Sequence, residues 1–175
     1  ESGGTESGEI RKIVWKGALD IWRAYPFFGS GVETFAYSYY NFRPIEHNNT
    51  SEWDFLYNKA HNEYLNFLAT TGVFGLGTYL IVIGTFLIRG IYKLKTKPHT
   101  TYFILHTSFL AGFASILVTN FFGFSVVNVA TLFFLFPALA FVLTRNPQPA
   151  SYHPTRHSLP ILALVFIVLL TTFYI

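Results

Sequence analysis

The sequence predicts an all-α protein: a polytopic bundle of membrane-spanning helices with an extracytoplasmic loop that carries an amphipathic helix. Three observations carry this prediction. Only 12% of the residues are charged and 51% are hydrophobic, whereas soluble domains usually contain about 25% charged residues. All nine acidic residues lie between Glu1 and Glu63. The residues after Glu63 contain long runs without any charge, which suit helices that cross a bilayer.

The charge is distributed unevenly between the two parts of the chain. The first 65 residues hold six lysines and arginines against the nine acids, a net charge of −3, whereas the remainder holds six and no acid, a net charge of +6. The overall charge of +3 therefore gives no support for nucleic-acid binding, which needs a basic face with base-reading groups. The absence of cysteine excludes disulfides, thiolate metal sites and cysteine nucleophiles.

We predict an extracytoplasmic loop over residues 1–65 and a transmembrane region over residues 66–175. Four spans are expected, at approximately 70–88, 102–119, 126–143 and 159–175. The charge-free run 98–144 is too long for one crossing at about 1.5 Å per residue, and its polar and glycine-containing stretch at 120–125 is the natural point of reversal.

The basic residues of the second part define an orientation. They follow the first span or separate the third from the fourth: Arg89, Lys93, Lys95, Lys97, Arg145 and Arg156. Loops rich in Lys and Arg face the cytoplasm. The sequence therefore predicts that residues 1–65 face outward, which in a bacterium is the outer side of the inner (cytoplasmic) membrane.

Residues 9–25 have the pattern of an amphipathic helix. Apolar residues recur at spacings of three and four from Ile10 to Tyr25. Arg11 lies at the edge of the apolar stripe, beside Ala18 and Trp22. It is either an arginine that snorkels at an interface or one directed into a cleft, where its guanidinium can bind a phosphate.

His61 precedes the first span. We expect it to share a helical face with Tyr64, Leu65 and Leu68, at the outer mouth of the bundle. A histidine there is either hydrogen-bonded at the interface or acts as a general base or acid. His47 and His61 have acids nearby, but their spacing matches no zinc pattern, so no metal or other cofactor is expected.

Two segments together resemble the O-antigen ligase and O-antigen polymerase family of bacterial membrane glycosyltransferases. Residues 7–15 read SGEIRKIVW and continue into YPFFGSGVETF at residues 25–35. Residues 60–65 read AHNEYL and are followed by Gly72 and Gly75. The two motifs occur in the family's order, outside the membrane and next to a span.

The resemblance implies a function in cell-surface polysaccharide biosynthesis. Such enzymes move a glycan from a polyprenyl-diphosphate donor to an acceptor hydroxyl without a metal. The family's loop arginine corresponds to Arg11, as the diphosphate ligand, and its loop histidine to His61, as the catalytic residue. Further contacts to the substrate are expected from Lys16, Arg43, Lys59 and Asn62. The expected partners are the lipid-linked glycan donor, a lipid or glycan acceptor and membrane lipid, with no nucleic acid.

Family members have more transmembrane helices upstream and a further arginine in an earlier outward loop. We therefore expect this chain to be a C-terminal portion that supplies part of an active site. An O-antigen or exopolysaccharide polymerase and a protein O-oligosaccharyltransferase remain alternatives. A non-catalytic transporter or scaffold predicts instead that Arg11 and His61 lie apart or face lipid. A membrane metallohydrolase predicts that His47 and His61 converge with a carboxylate.

Overall fold

The computed structural model describes residues 7–96 and 101–144, and these residues form helices and no strand. The helices are α1 Ser7–Ala24, α2 Phe35–Phe42, a short 3-10 helix Ile45–Asn49, α3 Glu63–Thr96, α4 Thr101–Phe122 and α5 Val127–Thr144. The predicted span at 159–175 and the link before it lie outside the described residues.

Helix α1 forms where the apolar periodicity predicts it and buries that stripe. Ile10, Val14, Ala18 and Ile21 are each at most 2% exposed. They pack against α2 and the chain before α3, in a cluster completed by Phe35, Tyr39, Tyr57, Ala60 and Ala69. Burial of a large aliphatic side chain contributes about 1.5–3 kcal/mol, so this cluster is what fixes α1 against the beginning of α3.

Helix α3 is broken at Gly72 into a short segment, 63–71, and a long segment, 73–96. Gly72 has a φ of 66° and a ψ of −166°, which no helix contains. The rings of Phe67 and Tyr79 stack with centroids 4.4 Å apart. In a straight helix their Cα atoms would be about 18 Å apart. The short segment therefore turns back beside the long one, and we call this bend the Gly72 corner.

The turn between α1 and α2 closes the Gly72 corner. Four backbone hydrogen bonds join them: Ser30 N–H to the Ala69 carbonyl (3.0 Å), Gly31 N–H to Thr70 (2.9 Å), Val73 N–H to Pro26 (2.9 Å) and Phe74 N–H to Phe27 (3.3 Å). A helix break leaves carbonyls and amides without helical partners. The turn supplies partners for two of each, so that the backbone polarity at the break is satisfied.

The long segment of α3 packs with α4 and α5. Ile83, Phe113, Ile116 and Phe133 form their buried cluster. Two stretches of the described chain are long and apolar enough to cross a membrane, Glu63–Lys95 and Phe103–Phe122, and the apolar helix Val127–Val142 is shorter.

Candidate active site

His61 lies outside helix α3, so the expectation that it shares a helical face with Tyr64, Leu65 and Leu68 is wrong. The helix begins at Glu63, because the Asn62 side chain accepts a hydrogen bond from the Leu65 amide at 3.0 Å and caps it. His61 has a φ of 53°. A side chain in this left-handed conformation costs about 1–3 kcal/mol and is often found at functional sites.

Two aromatic rings enclose the His61 side chain. Tyr57 meets its ring edge-on with centroids 5.3 Å apart. Phe124, from the loop between α4 and α5, meets it at 5.1 Å and 85°. The Nδ1 atom is enclosed and has no hydrogen-bond partner in the described part of the chain. His61 is therefore a half-buried imidazole in a largely apolar setting.

Arg11 lies near enough to act electrostatically on this imidazole. Burial lowers the pKa of His61, and the Arg11 charge lowers it further, while the Lys59 backbone and Glu52 act in the opposite direction. Arg11 also lowers the pKa of Tyr57, against the larger opposite effect of burial. Arg11 therefore lies within electrostatic range of His61, and these are the two residues to which the resemblance assigns the reaction.

Arg11 is a half-buried cation without a carboxylate partner. The ion pairs within residues 7–96 and 101–144 are Lys16–Glu46, Arg23–Asp20 and Lys59–Glu33, and none includes Arg11. A half-buried guanidinium without a counter-ion is costly unless an anion binds it. It therefore remains available for an anionic ligand.

Three of the further predicted contacts are engaged elsewhere. The Lys59 ammonium binds both carboxylate oxygens of Glu33, at 2.5 and 2.6 Å. Lys16 binds Glu46 at 2.7 Å on the exposed side of α1. Arg43 donates to the Trp53 carbonyl; burial lowers the pKa of His47, and the Arg43 charge lowers it further. Of the three, Lys59 is the one whose backbone interacts with His61.

His47 is a structural residue. It is completely buried, with Nδ1 bonded to the Tyr39 hydroxyl at 2.6 Å and Nε2 3.3 Å from the Glu52 carbonyl. Tyr57 separates it from His61, and the Tyr57 hydroxyl donates to the Glu52 carboxylate. In the described ranges no group of three His, Asp or Glu side chains could hold a metal ion.

The loop between α4 and α5 is fastened beside His61. The Ser125 amide donates to the Glu63 carboxylate at 3.3 Å, and the Ser125 hydroxyl donates to Asn120 at 3.2 Å. Asn120 is 1% exposed and also donates to Tyr79 at 3.2 Å. Sequence reasoning did not identify Phe124 or Tyr57 as site residues. The only signal for Phe124 was its place in the predicted reversal at 120–125.

Replacing Asn62 with alanine is expected to destabilise the protein by about 1 kcal/mol, the usual cost of a lost N-cap. Asn62→Asp keeps the capping oxygen and should retain most of the stability. Thermal unfolding of the purified protein measures both. If Asn62→Asp instead unfolds as early as Asn62→Ala, the amide group matters through another contact and the capping role is wrong.

The arrangement combines a cation free to bind an anion with an imidazole held in its neutral form. A neutral imidazole can accept a proton, and a guanidinium can bind a phosphate with two parallel hydrogen bonds. Together they suit a reaction in which a hydroxyl loses a proton while negative charge grows on a nearby group.

A family model described as O-antigen ligase matches residues 2–80. A search of curated proteins gives no match. The matched segment contains α1, the turn before α2, His61 and the Gly72 corner. The match confirms the resemblance predicted from the sequence: residues 2–80 are similar to the O-antigen ligase family, whose members are bacterial membrane proteins of polysaccharide biosynthesis.

Proposed function

We propose that this chain carries part of the active site of a glycosyltransferase that moves a glycan from a polyprenyl-diphosphate donor to an acceptor hydroxyl. The observation that carries the proposal is the position of Arg11, whose charge acts on an enclosed His61. A non-catalytic transporter or scaffold gives no reason for Arg11 to lie within electrostatic range of an enclosed His61.

The reaction assigns one role to each residue. The acceptor oxygen attacks the anomeric carbon, the bond from that carbon to the diphosphate oxygen breaks, and its electron pair stays on the diphosphate. The acceptor proton passes to His61. Negative charge on the leaving diphosphate grows as the bond breaks, and Arg11 stabilises that charge more in the transition state than in the bound donor.

His61 is suited to the role of general base. Its lowered pKa keeps the imidazole neutral at pH 7. Because Nδ1 is enclosed, we assign proton acceptance to Nε2. The Tyr57 side chain lies between Glu52 and His61, and the Glu52 carboxylate accepts a hydrogen bond from the Tyr57 hydroxyl. The neutral imidazole thus needs no carboxylate of its own to bring it into the basic form.

A site at the membrane surface agrees with a lipid-linked donor. The Tyr64 hydroxyl donates to the Leu117 carbonyl at 3.0 Å, so the short segment of α3 lies against the last turns of α4. Residues 1–65 would face the outer side of the inner membrane, as the distribution of Lys and Arg predicts. The diphosphate of a polyprenyl carrier would then meet Arg11 at the level of the lipid headgroups.

The test uses the full-length protein in a cell that lacks its own enzyme. His61→Ala should lose surface-glycan transfer, since removal of a general base costs about 10²–10⁴-fold in rate. The control is Asn58→Ala, an exposed residue in the same loop. Gels of surface glycan measure transfer, and blots of membrane fractions measure protein level. Transfer by His61→Ala at the level of the control would overturn the proposal.

A further inference from the structure

We propose that the turn between α1 and α2 anchors the protein in the lipid interface, with Phe27 and Phe28 inserted beside Phe74 at the boundary between headgroups and acyl chains. These three residues are called the aromatic anchor below. Their exposed fractions are 61%, 77% and 58%. The proposed partner is the lipid surface itself, and the inference does not depend on the transfer reaction.

The three rings form one exposed surface. Phe28 stacks on Phe74 with centroids 5.3 Å apart, and Phe27 lies 6.3 Å from Phe74. Residues 24–32, which form most of the turn, contain no charged side chain, and the charged residue that follows, Glu33, is paired with Lys59. Two adjacent phenylalanines more than half exposed are unfavourable in water. A partner that accepts bare aromatic rings without hydrogen bonds therefore fits this surface.

The depth of Phe74 in the molecule matches the edge of a bilayer. The long segment of α3 begins at Val73, and from there to Arg89, its first charged residue, the helix rises about 24 Å, which with the snorkelling reach of an arginine side chain approaches the ~30 Å of a hydrocarbon core. Phe74 thus lies in the first turn of the part of α3 that can cross. Aromatic residues are enriched at this depth in membrane proteins.

Helix α4 independently places the edge of the apolar layer at the same depth. Helix α4 runs antiparallel to the long segment, because later residues of one contact earlier residues of the other. The Phe86 and Phe113 rings have centroids 4.8 Å apart, and the Asn120 amide donates a hydrogen bond to the Tyr79 hydroxyl. The apolar stretch of α4 ends at Phe122, which is therefore level with the first turns of the long segment. Two helices thus place the same edge of the apolar layer near the aromatic anchor.

The backbone keeps the turn at this depth. Besides the four hydrogen bonds at the Gly72 corner, Gly29 lies so close to the helix that an added Cβ would stand 2.2 Å from the Thr70 carbonyl carbon. The turn therefore cannot move along α3 without breaking these contacts. The continuous exposed surface from Phe28 to α3 makes lipid the occupant that we favour over water or another part of the protein.

The experiment measures the surroundings of a spin label at residue 28. The sequence contains no cysteine, so Phe28→Cys places a single label in the full chain, in vesicles of phosphatidylethanolamine and phosphatidylglycerol. Electron paramagnetic resonance then compares collisions with oxygen, which enters lipid, and with a water-soluble nickel chelate. Asn48→Cys is the exposed loop control, and Ile81→Cys, on an exposed part of the long segment, is the lipid control.

We expect the ratio of oxygen to nickel accessibility at residue 28 to be several-fold above that at residue 48 and below that at residue 81. Phe27→Cys should give the same result and guards against a local effect of one label. A ratio equal to that of residue 48 would place the turn in water. Low accessibility to both reagents would place it against protein. Either result overturns the proposal.

Discussion

Gly72→Ala is expected to prevent the chain from reaching its native fold. The φ of 66° and ψ of −166° belong to a region that is essentially confined to glycine, where other residues are strained by about 1–3 kcal/mol. An added Cβ would also stand 2.3 Å from the carbonyl oxygen of Phe27 and 2.6 Å from the amide nitrogen of Phe28. These are backbone atoms, so the clash is relieved only by opening the corner.

The combined cost of strain and clash exceeds about 3 kcal/mol, a large part of the 5–15 kcal/mol that stabilises a typical protein. Yield of monodisperse protein in detergent and its thermal midpoint measure the effect. Gly77→Ala is the matched control, because a Cβ at Gly77 meets nothing within 4 Å. Alanine there should be neutral or slightly stabilising. Equal behaviour of the two variants would contradict the role of the corner.

Arg11→Gln is expected to lower glycan transfer by about 10²–10³-fold, the cost of removing one group that stabilises transition-state charge. The protein level should stay unchanged, because Arg11 forms no ion pair with any carboxylate of the described chain. Lys12→Gln is the control, an exposed cation next to Arg11 on the polar side of α1. It should transfer glycan at the wild-type rate in the same assay.

The same variant should shift the titration of His61. The positive charge of Arg11 disfavours the imidazolium form and so lowers the pKa of His61. Removing that charge raises the pKa of His61, so that on acidification the neutral imidazole becomes protonated at a higher pH. The rate at which diethylpyrocarbonate modifies His61, followed by mass spectrometry across the pH range, reports this without any transfer reaction. An unchanged profile would mean that the two side chains do not interact.

Local features of the sequence predicted local structure well. The apolar stripe from Ile10 to Ile21 is buried as its periodicity predicts. The spacing of apolar residues within one helix is enough to define the face that packs against a neighbouring surface. The same reasoning placed His61 on the wrong element. Its spacing to Tyr64 suits a helix, but the Asn62 cap starts that helix two residues after His61. A cap competes with periodicity at the boundary of every helix.

The composition of the site depends on distant contacts that spacing does not encode. The pairing of Arg11 with His61 is implied by the family resemblance and not by any local pattern, and the structure adds that the Arg11 charge acts on the His61 imidazole. Phe124 reaches His61 from a loop more than sixty residues away. Gly72 lies close to Gly75 and Gly77 in the sequence, and nothing local distinguishes it as the glycine that turns the chain. Gly72 is distinguished by the turn between α1 and α2, whose backbone at Phe27 and Phe28 packs against it.

The close packing of the turn between α1 and α2 against the Gly72 corner limits where this protein can be cut into separate pieces. Gly29 and Gly72 each approach the backbone of the opposite segment so closely that neither tolerates a side chain. A soluble piece cut near residue 65 would leave the Ser30 and Gly31 amides without the Ala69 and Thr70 carbonyls. Excision of the loop for crystallography, or its exchange between relatives, should therefore include the first long helix, with crossover points placed beyond Thr96.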